Sequence, residues 1–168
     1  MKINTFKEFN EQKGKSVVFT FGRFNPPTIG HEKLIKKVIS QSKENNYRIY
    51  VSQSKENNYR IYVSQSSDPE RNPLQYKEKV QIMRKMFPKY GRNIIFNKKI
   101  INVFNILVDL YDQGFTDVTM VVGSDRVPEF KRLMNSYNGK KARHGFYEFD
   151  SISTISAGDR DPDADDVS

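Results

Sequence analysis

Short β-branched and aromatic runs alternate along the chain with longer stretches whose apolar residues return every three or four positions. Val17-Val18-Phe19-Thr20-Phe21 is apolar on both faces, the mark of a strand covered on both sides. Gly22 and an Asn25-Pro26-Pro27 turn end it. His31, Leu34, Ile35, Val38 and Ile39 then fall on one helical face, with Glu32, Lys33, Lys36 and Lys37 on the other. Further on, Asn72-Pro73-Leu74-Gln75 predicts a helix start, with Asn72 as N-cap, Pro73 at the first helical position and Gln75 able to close a capping box. Tyr76, Val80, Met83 and Phe87 form the stripe of that helix. Ile94-Ile95-Phe96 reads as a short strand. Asn102 caps a helix with the stripe Val103, Phe104, Leu107, Val108 and Tyr111, and Gly114 ends it. Val118-Thr119-Met120-Val121-Val122 is the clearest buried strand. A last helix spans about Glu129 to Tyr137, and Phe149 to Ile155 is the final strand.

One segment interrupts the alternation. Ser40–Val51 reads SQSKENNYRIYV, and Ser52–Val63 repeats it letter for letter. Solenoid repeats diverge and run longer, so this is a duplication of other origin. Each copy holds one strand-like piece, Tyr-Arg-Ile-Tyr-Val, and the alternation has room for one. The second copy, about Arg60 to Ser64, is expected to supply the strand. The first is expected to extend the preceding helix or form a surface excursion, where added length costs little entropy. Its Tyr47, Ile49 and Val51 would then make an exposed apolar patch.

Regular strand–helix alternation predicts an α/β fold: a Rossmann-like parallel sheet of about five strands with helices on both faces. Val17–Phe21 and Val118–Val122 are expected as adjacent central strands. Residues 1–15 read as an N-terminal extension, 16–157 as the α/β domain, and 158–168 as an acidic tail. In such sheets ligands sit beyond the carboxyl ends of the strands. Gly22–His31 and Gly123–Arg126 both lie there.

Composition narrows the class. With 168 residues the chain holds one domain and one sizeable core. The absence of cysteine removes disulfides and thiolate metal sites. The polar N-terminus and the lack of a long apolar stretch lead to an expected cytoplasmic protein without a membrane partner. The formal charge of +8 suits an anionic substrate. Its lysines are scattered, as in Lys36-Lys37, Lys98-Lys99 and Lys140-Lys141, so nucleic acid is not an expected partner. Oligomeric state stays open.

The candidate chemistry lies in Gly22-Arg23-Phe24-Asn25-Pro26-Pro27-Thr28-Ile29-Gly30-His31. Gly22 follows a strand, where a missing Cβ lets a phosphate approach the backbone. Thr28 can cap the helix, whose amides and dipole suit an anion. Thr28 and His31 are three apart and point to one side, and Gly30 keeps that side open. No G-x-x-x-x-G-K-[ST] or G-x-G-x-x-G competes.

This segment resembles the (H/T)-x-G-H signature of the nucleotidyltransferase superfamily, and its Gly-Arg-Phe start is similar to the nicotinamide-mononucleotide adenylyltransferases. With Gly-Ser-Asp-Arg at 123–126 and Ser-Ala-Gly-Asp-Arg-Asp-Pro-Asp-Ala at 156–164, the chain also resembles phage-encoded nucleotidyltransferase-like proteins. The resemblance implies attack on the α-phosphorus of a nucleoside triphosphate by a phosphate-bearing small-molecule acceptor, with pyrophosphate leaving. AMP from ATP is the expected transfer. Cytidylyl transfer and a non-catalytic nucleotide-binding or virion-associated role are the alternatives. His31 and Thr28 would act at the reacting phosphate. Gly22, Arg23, Phe24, Asn25, Pro26, Gly30, Gly123, Ser124, Asp125 and Arg126 would bind the nucleotide. Mg²⁺ would arrive with the triphosphate, without protein ligands of its own. Two departures stand out. Thr28 replaces the first histidine of many relatives. The family's second signature, a Ser/Thr-rich turn ending in a basic residue, is not found before Ser168, so the chain reads as a C-terminally truncated copy.

Overall fold

The computed structural model describes residues 15–24, 27–48, 58–66, 70 and 74–158, with side chains in the first helix described through Lys43. Five strands form one all-parallel sheet: β1 (Ser16–Gly22), β2 (Tyr59–Val63), β3 (Ile94–Ile95), β4 (Asp117–Val122) and β5 (Ser151–Ser156), in the order β3-β2-β1-β4-β5. Four α-helices connect them: α1 (His31–Arg48), α2 (Tyr76–Met86), α3 (Val103–Asp112) and α4 (Val127–Ser136). This is the Rossmann-like α/β architecture that the alternation predicts, with β1 and β4 as central neighbours.

Period-two side-chain alternation divides the core between the two faces of the sheet. Val18, Ile61, Val63 and Val121 point to one face, where α1 brings Leu34, Ile35 and Val38 and α2 brings Val80 and Met83. Val17, Phe19, Tyr62, Val118, Met120 and Val122 point to the other, against Ile106, Leu107 and Leu110 of α3 and Met134 of α4. Each such buried aliphatic or aromatic side chain contributes about 1.5–3 kcal/mol relative to exposure, so both layers are needed. Chain order places α1 and α2 on one face and α3 and α4 on the other. The direction of winding therefore reverses between β1 and β4.

Several element ends differ from the sequence expectation, each for a local reason. α2 starts at Tyr76, with Gln75 as its N-cap, its N–H donating to Glu78 Oε1 at 3.3 Å. This box replaces Asn72 as the start, and Asn72 and Pro73 lie outside the described residues. Phe96 leaves β3 because its ring stacks on Tyr76 at 5.0 Å, while the Tyr76 hydroxyl accepts from the Asn97 N–H at 2.9 Å. α4 begins two residues before Glu129, since Pro128 is tolerated in a first turn. Phe149 stays out of β5 because Asn138 takes both of its backbone groups, at 2.8 and 3.1 Å. Asn102 does cap α3, accepting from the Asn105 N–H at 3.0 Å, and Gly114 follows with φ +94°.

The duplicated segment behaves as two different structures. The first copy continues α1 as far as Arg48, and the second supplies β2. The expected patch at Tyr47, Ile49 and Val51 lies outside the described residues or side chains, as does the acidic tail beyond Gly158. Among the described residues, no helix is long and apolar enough to cross a membrane.

Candidate functional site at the carboxyl ends of the strands

The sheet opens where its winding reverses. β1 and β4 pair only from Ser16↔Asp117 to Phe19↔Met120. β1 nevertheless stays in register with β2 to Gly22↔Val63, and β4 with β5 to Val122↔Ser156. Thr20, fully buried, marks the parting: its hydroxyl donates to Val121 O at 2.7 Å. Beyond it the two central strands separate at their carboxyl ends. A crevice at this reversal is the position where doubly wound sheets take their ligands.

On the β1 side, the Gly-Arg-Phe start is a packing device. Phe24 has φ +47°, a region where a bulky side chain is strained, and it is buried. That conformation folds its ring back over Gly22, where a Cβ would meet Phe24 Cε2 at 3.0 Å. The atoms beside the bare Gly22 Cα are therefore those of Phe24. The same ring also packs against His31, with centroids 4.7 Å apart and the planes inclined at 66°.

His31 opens α1 and is fully buried. The Thr28 N–H lies 2.8 Å from His31 Nδ1, and the Thr28 hydroxyl lies 3.1 Å from the same nitrogen. A backbone N–H can only donate, so Nδ1 accepts and the imidazole proton sits on Nε2. The Thr28 carbonyl accepts from the His31 N–H at 3.0 Å, closing the first turn. Thr28 and His31 do face one another as their spacing predicts, but through a mutual hydrogen bond. Gly30 is exposed, whereas His31 is not. Asn25 and Pro26 lie outside the described residues.

On the β4 side, Gly123 leads into a 3₁₀ turn, Ser124–Arg126, closed by the Arg126 N–H donating to Gly123 O at 2.9 Å. Arg126 turns back along α4. Its Nε lies 3.3 Å from Glu129, and its guanidinium lies 4.9 Å from the centre of the Phe130 ring. Asp125 is exposed and Ser124 half-buried. Two contacts draw this turn toward α1. The Ser124 N–H donates to Gly158 O at 3.4 Å, and Lys33 Nζ lies 3.7 Å from where a Gly158 Cβ would stand. The first turn of α1, the end of β5 and the Gly123–Arg126 turn thus converge beside the crevice.

Lys79 has no place in the reading of the sequence. It is fully buried in the middle of α2, and its Nζ donates to Ser66 O at 3.0 Å and to Ser64 Oγ at 3.4 Å. Burial, and secondarily the charge of Arg23, push its pKa down to about 8. The available signal was a lysine one position from Val80, inside the apolar stripe of α2. Among the described residues, no group of three or more His, Asp or Glu side chains is arranged to hold a metal ion.

The parallel sheet and its change of winding define a Rossmann-like α/β protein whose β1 and β4 pair only as far as Phe19↔Met120. Comparison with protein-family models, curated proteins and solved structures gives no match.

Proposed function

We propose that the protein binds a nucleoside triphosphate in the crevice between β1 and β4. It transfers the nucleoside monophosphate, AMP from ATP, to a phosphate-bearing acceptor. What carries this reading is the Thr28–His31 pair at the head of α1: Nδ1 held as acceptor leaves Nε2 as the donor of a neutral imidazole. An acceptor phosphate oxygen forms a bond to the α-phosphorus, and the α–β bridging P–O bond breaks with its electron pair leaving on pyrophosphate. Nε2–H donates to a non-bridging α-oxygen as charge builds there, without itself losing the proton. Catalysis is then positioning and charge stabilisation. Mg²⁺ enters with the triphosphate. Gly123, Ser124 and Asp125 border the nucleotide on the β4 side, and Arg23 and Lys33 contribute positive charge. The test is incubation with each nucleoside triphosphate and a panel of phosphorylated acceptors, scoring pyrophosphate release. No release with any pair refutes the transfer reaction.

One observation favours a second reading. Full burial of His31 suits a protein that holds a nucleotide without reacting it. Saturable triphosphate binding without pyrophosphate release would select that reading over the first.

A further inference from the structure

A second cluster of chemistry lies on the other side of β1, between its carboxyl end and that of β2. The Ser64 N–H donates to Gly22 O at 2.8 Å, which fixes the chain leaving β2 against the chain leaving β1. Arg23, the next residue, is exposed. From below, Lys79 reaches the same place, holding Ser66 O and Ser64 Oγ, and the two serine hydroxyls lie 2.7 Å apart. Lys79 therefore ends at a pair of serines, and Arg23 is near enough for its charge to act on the Lys79 ammonium. Among the described residues, the ion pairs are Lys36–Glu32 and Arg126–Glu129, and neither involves this cluster.

A structural lysine ordinarily ends on a carboxylate or reaches solvent along its stem. Lys79 does neither. Its ammonium has three donors and spends one on a carbonyl at 3.0 Å and one on a long contact to a hydroxyl. Burying such a charge beside a second cation is unfavourable unless an anion completes the arrangement. The donors available are those a phosphoryl group uses: an ammonium as a point charge, a guanidinium fork and two hydroxyls. The lowered pKa of Lys79 agrees with an ammonium that lacks a counter-charge.

We propose that Lys79, Arg23, Ser64 and Ser66 form a binding subsite for a phosphoryl dianion. The source is either a phosphorylated small molecule or the terminal phosphates of a nucleoside triphosphate. The assignment stands on the ends of β1 and β2 and shares Arg23 alone with the reading proposed for the crevice between β1 and β4, so the Lys79 arm of the test can fail or hold separately from pyrophosphate release.

The experiment follows the Lys79 ammonium by NMR in the full chain with ¹³C-labelled lysine. Its titration is recorded alone, with inorganic phosphate, with glycerol phosphate and with ATP. A bound dianion favours the charged form, so the Lys79 midpoint rises by about one unit or more. Lys79→Met and Arg23→Gln each weaken phosphate binding by about tenfold or more, the worth of one charge-assisted hydrogen bond. Arg23 is exposed, so Arg23→Gln leaves the fold intact and serves as the control for Lys79→Met. A response to inorganic phosphate and glycerol phosphate assigns the subsite to a phosphorylated small molecule. A response to ATP alone assigns it to the triphosphate tail. A Lys79 midpoint unmoved by all three probes overturns the proposal, as does phosphate affinity in both variants within about twofold of the parent.

Discussion

Gly22→Ala tests whether the Gly-Arg-Phe turn is the packing device described above. The added Cβ would lie 3.0 Å from Phe24 Cε2 and 3.2 Å from Cζ. Carbon atoms prefer about 3.5–4.0 Å, so the ring must retreat by about half an ångström or more. It has little room, because the ring also packs against His31, its backbone is held at φ +47° and it is buried. Overpacking of this kind costs about 1–3 kcal/mol. Lower entropy of the unfolded chain returns up to about 1 kcal/mol, leaving a net loss of about 1–2 kcal/mol. Phe24→Ala alone costs about 3–5 kcal/mol through its cavity. In that background the methyl group has no ring to meet, and its cost falls to near zero. Urea unfolding of the four proteins therefore gives a coupling energy of about 1–3 kcal/mol, the overpacking cost alone, with the entropy gain cancelling between the arms. Equal costs for Gly22→Ala in both backgrounds would refute the account. In the single variant the His31 ring resonances should also shift, because the displaced ring is the one His31 touches.

Four further outcomes are expected. His31→Ala lowers pyrophosphate release by about a hundredfold or more, the loss of one preorganised donor, and unchanged turnover removes His31 from the mechanism. Lys79→Met stabilises the unliganded protein by about 1–2 kcal/mol in urea unfolding near neutral pH, because it removes a buried charge; a loss of stability there contradicts the uncompensated ammonium. The folded pKa of Lys79, about 8, lies below its ordinary value of 10.5. The unfolded chain therefore binds more protons between these values, and the parent gains stability as pH rises through that window. The advantage of Lys79→Met is accordingly largest below about pH 8 and shrinks above it. Tyr147→Phe costs about 1–2 kcal/mol in Tm-derived stability, since its buried hydroxyl donates to Met134 O and the substitution orphans that carbonyl. Deletion of Ser40–Val51 leaves Tm unchanged or raises it, and a marked fall would show that the extended α1 is part of the stable core.

The architecture was legible because it depends on period. Val17–Phe21 and Val118–Val122 are apolar on both faces, and only central strands of a covered parallel sheet need that. The end of β1 was legible in part. The Thr28–His31 spacing foretold two side chains pointing to one side, but not that they bond to each other, nor that His31 would be buried with Nδ1 turned to the Thr28 amide. In the sequence Phe24 counts as a nucleotide-binding residue of the Gly-Arg-Phe start. Its positive φ, which packs its ring over Gly22, comes from tertiary closure of the turn. Arg126 counts as a nucleotide contact in the sequence; its contacts to Glu129 and Phe130, three and four residues on, belong to the helix and appear only in the structure. Lys79 was invisible for a different reason. A lysine in a helix is exposed by default, and only the arrival of Ser64 and Ser66 from another strand shows where its ammonium ends.

The duplication has a consequence beyond chain length. Tyr47 and Arg48 are helical, while the identical Tyr59 and Arg60 lie in β2. Local preference therefore cannot decide which copy becomes the strand. The identity in fact extends past the twelve letters: residues 40–54 match 52–66, including the Ser-Gln-Ser that follows each Tyr-Arg-Ile-Tyr-Val. Everything that β2 and its exit contribute is thus present twice. That includes the register against β1, the serines that meet Lys79, and Gln65, whose amide donates to Lys98 O at 2.8 Å and Ile100 O at 2.7 Å. By sequence, either copy offers the residues that the β2 position uses. The two isomers differ in whether twelve residues are carried before the strand or after it, and loop-closure entropy separates them by only about 0.6 kcal/mol per doubling of loop length. Exchange between them would require β2 to unzip from both β1 and β3, so the duplication makes that strand an interchangeable part.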